Sequence, residues 1–325
     1  MKSRFGIVIR AYNVGKYIEK AVNSVLAQTF TDWTAVIVDD GSEDDTKYIA
    51  KKTVGRDSRF QVLEINRGGC VLATLEGVGR LDCEYICVLD GDDSYDRKYL
   101  EETEKVIKEY QPDIAAGGLT MIYESGQRKT VRLADGITVF HGEEFLNFVM
   151  RSTSYGLPMK AIKKSLFRFD EEKLCFFRKE KTNLNFNEDT YQIVPVICNA
   201  EKCVVTGSCL YNYTIRNDSV SHDHNPWSQV RFIFMTMEYM HQFLRKRRLL
   251  NQARKEYIMA ECVRELLPRA RYIVKRSCKK LGGQFHISQM EYYHVLSKSG
   301  YFQWTARRHG RINAWVLRFF MLFYK

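Results

Sequence analysis

Proline is scarce, with 5 in 325 residues, and no Ser/Gly/Pro-rich linker, low-complexity tract or internal repeat is present, which excludes a disordered or solenoid chain. Long hydrophobic runs are also missing: no stretch approaches the roughly 20 apolar residues that a bilayer-spanning helix requires. The segment Met1–Ile7 enters an apolar run too short for a signal-peptide core and has no cleavage site, so no leader is expected. The 9 cysteines are odd in number and form no CxxC pair. That pattern argues against a zinc site or a disulfide framework and for reduced thiols in a cytoplasmic protein. Acidic residues thin out toward the end. From Asn225 onward about 20 Lys/Arg face about 5 Asp/Glu, more than the whole net charge of +11, and the remainder is slightly acidic.

What the chain does have is material for a core, 45% hydrophobic and 13% aromatic. Apolar runs without polar alternation fall at Phe5–Ile9, Thr34–Val38, Phe60–Glu64, Tyr85–Leu89 and Ile114–Ala116. Segments with helical spacing separate them, at 16–26, 44–53, 70–80 and 97–110. Strands of this kind are buried on both faces, and their alternation with helices predicts an α/β fold, a mostly parallel sheet flanked by helices. After Gly117 the pattern changes: Leu119–Tyr123 and Lys129–Leu133 bracket Glu124-Ser125-Gly126-Gln127 as a hairpin. A helix at 188–198 and short strands at 203–205 and 210–214 follow, and from Pro226 onward nearly everything is helical in period. The expected organisation is an α/β domain over 1–224, in halves of about 1–117 and 118–224, and a basic helical region over 225–325.

In an open parallel sheet, ligands bind beyond the carboxyl ends of the strands. Three such ends carry polar turns: Arg10-Ala11-Tyr12-Asn13, Asp39-Asp40-Gly41-Ser42 and Asp90-Gly91-Asp92-Asp93. The last places three carboxylates in four residues, a hard-oxygen set suited to Mg²⁺ or Mn²⁺ held together with substrate phosphates. The plainer reading is a solvated acidic turn, with Asp93-Ser94 capping the next helix. The turn at 39–42 has a plain reading too, yet a carboxylate there can accept a hydrogen bond from a pyrimidine N–H or a ribose hydroxyl.

Four segments in order, Val8–Asn13, Ser24–Phe30, Val38–Thr46 and Tyr85–Asp93, resemble successive signatures of the family-2 glycosyltransferases of the GT-A fold, the inverting enzymes of bacterial polysaccharide and cell-surface glycan synthesis. The resemblance is clear over about residues 4–95 and weaker out to about 222. It implies that Ala11 and Tyr12 line the nucleotide base, Asp40 binds a uracil ring with Asp39 beside it, and Asn66 and Gly68 pass near the nucleotide. It further implies Asp90 at the ribose and metal, Asp92 as main metal ligand and Asp93 adjacent. Asn187-Glu188-Asp189 resembles the family's Glu-Asp motif, in which Asp189 would be the general base and Glu188 would position acceptor or base. The run Tyr211–His222 resembles the end of the catalytic domain, with Arg216 or His222 on the diphosphate and His222 or His224 completing the metal shell. Lys160 falls where the family has a buried lysine near the acceptor. Two departures stand out: Arg10 where the family has Pro, and Ala73–Gly77 without its usual Arg-Asn.

The expectation is a metal-dependent inverting transfer, with Mn²⁺ or Mg²⁺, from a UDP-sugar to a glycan or lipid-linked acceptor. The rivals are a nucleotidyltransferase, for which Arg10–Lys16 is a poor phosphate loop, and a non-catalytic basic protein binding membrane or nucleic acid. In the basic region the aromatics fall at helical core spacing rather than on a stacking platform, so nucleic acid is not the expected partner. Its closing segment, 304–325, mixes Trp and Phe with Arg and suits either a helix lying on the anionic inner face of the cell membrane or a core-packing helix with a solvated basic face, the first being the expectation.

Overall fold

The computed structural model describes residues 2–152, 156–167 and 188–216. Strands and helices alternate through β1 (Ser3–Ala11), α1 (Ile18–Leu26), β2 (Trp33–Asp39), α2 (Thr46–Val54), β3 (Phe60–Glu64), α3 (Gly69–Arg80) and β4 (Cys83–Asp90). The chain continues through β5 (Ser94–Tyr95), α4 (Tyr99–Tyr110), β6 (Ile114–Ala116), β7 (Leu119–Tyr123), β8 (Arg128–Val131), β9 (Thr138–His141) and α5 (Glu143–Ser152). The described elements close with β10 (Lys160–Lys163), α6 (Glu188–Ile197), β11 (Lys202–Val205) and β12 (Tyr211–Ile215).

The main sheet has the order β3-β2-β1-β4-β10-β6-β11-β9. Its first four strands are parallel, which the unbroken apolar runs dictate, since a strand covered by helices on both sides has no face to leave polar. Phe5, Ile7 and Ile9 join the core together with Ile18, Ala21, Val22 and Val25, the apolar stripe of α1. Truncating one of these, Ile7→Ala for instance, costs about 2–5 kcal/mol. On the opposite face α3 packs on β1 and β2, with α6 against it. Gly77 makes that approach close, because a Cβ there would stand 2.5 Å from Val8 Cγ1.

The sheet is mixed beyond β4. β10 runs antiparallel between β4 and β6, and β9 antiparallel to β11. Neither strand stands out in the sequence, nor does α5. The expected hairpin is present as β7 and β8, and it belongs to a second sheet of order β5-β12-β7-β8. The boundary expected near 224 and the basic helical region after it lie outside the described residues.

Candidate active site

The ends of β2, β1 and β4 lie side by side. The parallel register sets Ala11 opposite Asp39 and Arg10 opposite Asp90, so the two aspartate turns flank the turn after β1.

That turn is stitched to the one after β2. Asn13, at a φ of 50° that asparagine tolerates better than most residues, accepts the N–H of Glu43 on its side chain and donates its own N–H to Ser42 Oγ. The N–H groups of Val14 and Gly15 donate to Thr46 Oγ1 and Asp44 Oδ2. Ala11 is buried. The Arg67 guanidinium lies 3.4 Å from the centre of the Tyr12 ring, a cation–π contact.

Asp39 and Asp40 are both buried but differently occupied. Asp40 accepts the N–H of Gly68 at 2.7 Å on Oδ1 and of Gly69 at 2.9 Å on Oδ2. It thus satisfies two of the orphan donors at the start of α3 from a turn some thirty residues earlier. Burial holds its carboxyl above the usual range despite those donors, and Asp39 adds to the effect. Asp39 accepts the N–H and hydroxyl of Ser42 on Oδ1, while Oδ2 is buried with no partner among the described residues. Asp40, which the resemblance assigns to the base, thus has one backbone N–H on each oxygen, whereas Asp39 keeps one oxygen that meets no donor among the described residues. Asn66 is exposed beside Arg67, and Gly68 is buried under Leu72.

At the end of β4 each carboxylate has its own partner. Arg10 donates through Nε to Asp90 Oδ1 at 2.8 Å, and its Nη2 lies 2.7 Å from the same atom. Arg216, whose guanidinium stands 5.3 Å from the centre of the Tyr17 ring, places Nε 2.8 Å from Asp92 Oδ2. Asp93 accepts the Tyr211 hydroxyl at 2.6 Å and the Thr214 N–H at 2.7 Å, and the Tyr211 oxygen in turn accepts the N–H of Asp90. Gly91 fits tightly beneath, since a Cβ would come within 2.9 Å of the Arg10 carbonyl and of Val14. Burial, then Asp90, raises the Asp92 carboxyl even with Arg216 beside it. Burial, then Asp92 and Asp90, raises Asp93 well above its usual range.

A divalent cation would suit Asp90 and Asp92, since each has one oxygen outside its arginine contact. Asp93 is less suited, with both oxygens on donors. Among the described residues no group of three His, Cys, Asp or Glu forms a complete site, so further ligands would come from a diphosphate or from elsewhere in the chain. His222 and His224 lie outside the described residues. Glu188 and Asp189 stand in the first turn of α6; the placement of their side chains lies outside the described part. Lys160, in β10, is buried and donates to the Gly156 carbonyl. The sequence marks Arg10, at the end of β1 and in place of the family's Pro, and the run that holds Tyr211 and Thr214, but not whom these residues meet; Tyr17 and Arg67 carry no such signal.

The family model described as Glycosyl transferase family 2 matches residues 6–175. The chain is similar to the glycosyltransferase GlyA of Streptococcus pneumoniae serotype 4, 29% identical over 228 residues that cover 66% of this chain and 31% of that protein. The chain thus corresponds to about a third of the length of that curated relative. Among solved structures, S. aureus TarS in complex with UDP-GlcNAc superposes with a TM-score of 0.68 at 18% identity, covering 96% of this chain and 89% of that one. The mannosyltransferase PcManGT of Pyrobaculum calidifontis, in complex with GDP-Man and Mn²⁺, reaches 0.53 at 13% identity, covering 97% and 87%. Identities this low establish the shared fold alone.

Proposed function

The chain belongs to glycosyl transferase family 2, and on that premise we propose that it transfers a sugar from a UDP-sugar, with a divalent metal and with inversion, to a hydroxyl of a glycan or lipid-linked acceptor. One observation carries the donor assignment: three adjacent strand ends bring a buried carboxylate oxygen, Asp39 Oδ2, unpartnered among the described residues, alongside the arginine-paired Asp90 and Asp92. A pyrimidine offers an N–H to the first, and a diphosphate with its cation offers charge to the second. TarS with UDP-GlcNAc supports the nucleotide, and PcManGT with Mn²⁺ supports the metal.

In this reading Tyr12 and Ala11 border the base, Asp39 accepts its N–H, and Asp40 keeps the Gly68–Gly69 turn in place. Asp90 and Asp92 hold Mn²⁺ or Mg²⁺, which when bound withdraws electron density from the leaving diphosphate. Arg216 supplies positive charge to the same group. Asp189 takes the proton of the acceptor hydroxyl as its oxygen bonds to the anomeric carbon and the bond to the diphosphate breaks on the other side, which inverts the centre. Gln192 is one turn along α6 from Glu188 and Asp189. Its buried amide has no partner among the described residues, and it is suited to hold an acceptor hydroxyl. The surplus of Lys and Arg after Asn225 supports a seat on the anionic inner face of the cell membrane.

Calorimetric titration of UDP, GDP and their sugars, with Mn²⁺ and then with EDTA, tests the reading. Metal-dependent binding of the uridine series alone is expected. Failure of every nucleotide on folded protein would overturn it.

A further inference from the structure

Arg10 is the last residue but one of the central strand β1 and is 8% exposed. Two of its nitrogens converge on a single oxygen of Asp90, directly across the ladder. Asp92 is met by a second buried arginine, Arg216, and Asp93 is satisfied by Tyr211 and Thr214. The two carboxylates suited to a cation therefore each face a guanidinium already. The arginines are mounted differently. Arg216 follows the last described strand, whereas Arg10 has its backbone between β2 and β4 in the middle of the main sheet.

We propose that Arg10 is a built-in counter-ion, a positioning residue that holds one oxygen of Asp90 and keeps the carboxylate pair from retaining a divalent cation by itself, so that the cation is taken up together with a diphosphate. The inference rests on the donor-site reading above. A cation on Asp90 and Asp92 would stand close to a fixed positive charge in a partly desolvated site, where repulsion is weakly screened. Two carboxylates already neutralised by arginines attract it little. A diphosphate reverses the balance, adding negative charge and oxygen ligands.

The test is titration of Mn²⁺ into the full chain, alone and with saturating UDP, comparing wild type with Arg10→Met, Arg10→Gln and Arg10→Lys, each checked for folding by thermal melting. Wild type should bind Mn²⁺ weakly alone and far more tightly with UDP. Either neutral variant should bind Mn²⁺ alone about tenfold more tightly or better, and so gain less from UDP. The lysine variant keeps the charge and should stay within about threefold of wild type. An unchanged affinity in a folded neutral variant overturns the role, as does a tightening that lysine reproduces. Wild-type affinity for Mn²⁺ that is indifferent to UDP overturns it whatever the variants do. In each of these cases UDP binding by wild type shows the donor reading still standing; if wild type takes no UDP either, both readings fall.

Discussion

The turns that end β2 and β4 are built from the same few residue types, yet their carboxylates keep different company. At 39–42 the partners are neutral: two glycine N–H groups on Asp40, and the N–H and hydroxyl of Ser42 on Asp39. At 90–93 two of the three carboxylates face arginines. Hydrogen bonds from neutral donors fix an oxygen's position while leaving its neighbour able to accept one more N–H, which is the demand of a base. Arginines set a charge balance that a cation and a diphosphate can re-form, which is the demand of a leaving group. The difference between the turns lies in who meets each carboxylate.

Exchanging the chemistry of the two turns tests that division most severely. Asp92→Asn should abolish the part of UDP binding that depends on Mn²⁺, about a hundredfold or more by calorimetry, and leave the metal-free remainder. Asp39→Asn should weaken UDP about tenfold to a hundredfold whether or not metal is present, because one buried acceptor is lost in either case. If both variants respond to metal alike, the division of labour is wrong. Asp40→Ala leaves two N–H groups at the start of α3 without their acceptor. It should cost about 1–3 kcal/mol in denaturant unfolding, with its effect on UDP following from the loosened loop.

A carboxylate outside both turns combines the two kinds of partner. Asp113, beside β6, accepts the N–H groups of Glu201 and Lys202 and pairs with Lys163 at 2.9 Å. Burial raises its carboxyl, but Lys163 and the two N–H groups outweigh burial and hold it below the usual range. A depressed folded value means stability that is present above the ordinary carboxylate range and lost as pH falls through the folded value. Asp113→Asn should remove about 1–2 kcal/mol near neutral pH. It should also flatten the acid side of the melting-temperature profile, and an unaltered acid limb would show that Asp113 does not set it.

Much of the N-terminal half was legible because strands buried on both faces read as unbroken apolar runs, and because loops at strand ends display their polar residues in sequence. The positions of Asp39, Asp40, Asp90, Asp92 and Asp93 follow from that alone. Their partners do not. Gly68 lies 28 residues from Asp40 and Tyr211 lies 118 from Asp93, and nothing local in either segment announces the meeting. β10 and β9 were missed for a related reason: Lys160–Lys163 is four residues with a lysine at each end, made a strand by β4 and β6 on either side. The same insertion makes Lys160 a buried residue.

The order of synthesis gives Tyr211 another meaning. The carboxylate turn leaves the ribosome with β4, but the hydroxyl and the N–H that hold Asp93 belong to β12, more than a hundred residues later. At on the order of 5–20 residues per second, that is many seconds of elongation during which the β4 turn exists without its support. Until Thr214 has emerged, a cluster of like charges waits beside a partly built sheet. The candidate site is therefore among the last parts of the described chain to be completed, although most of its residues are among the first to be made.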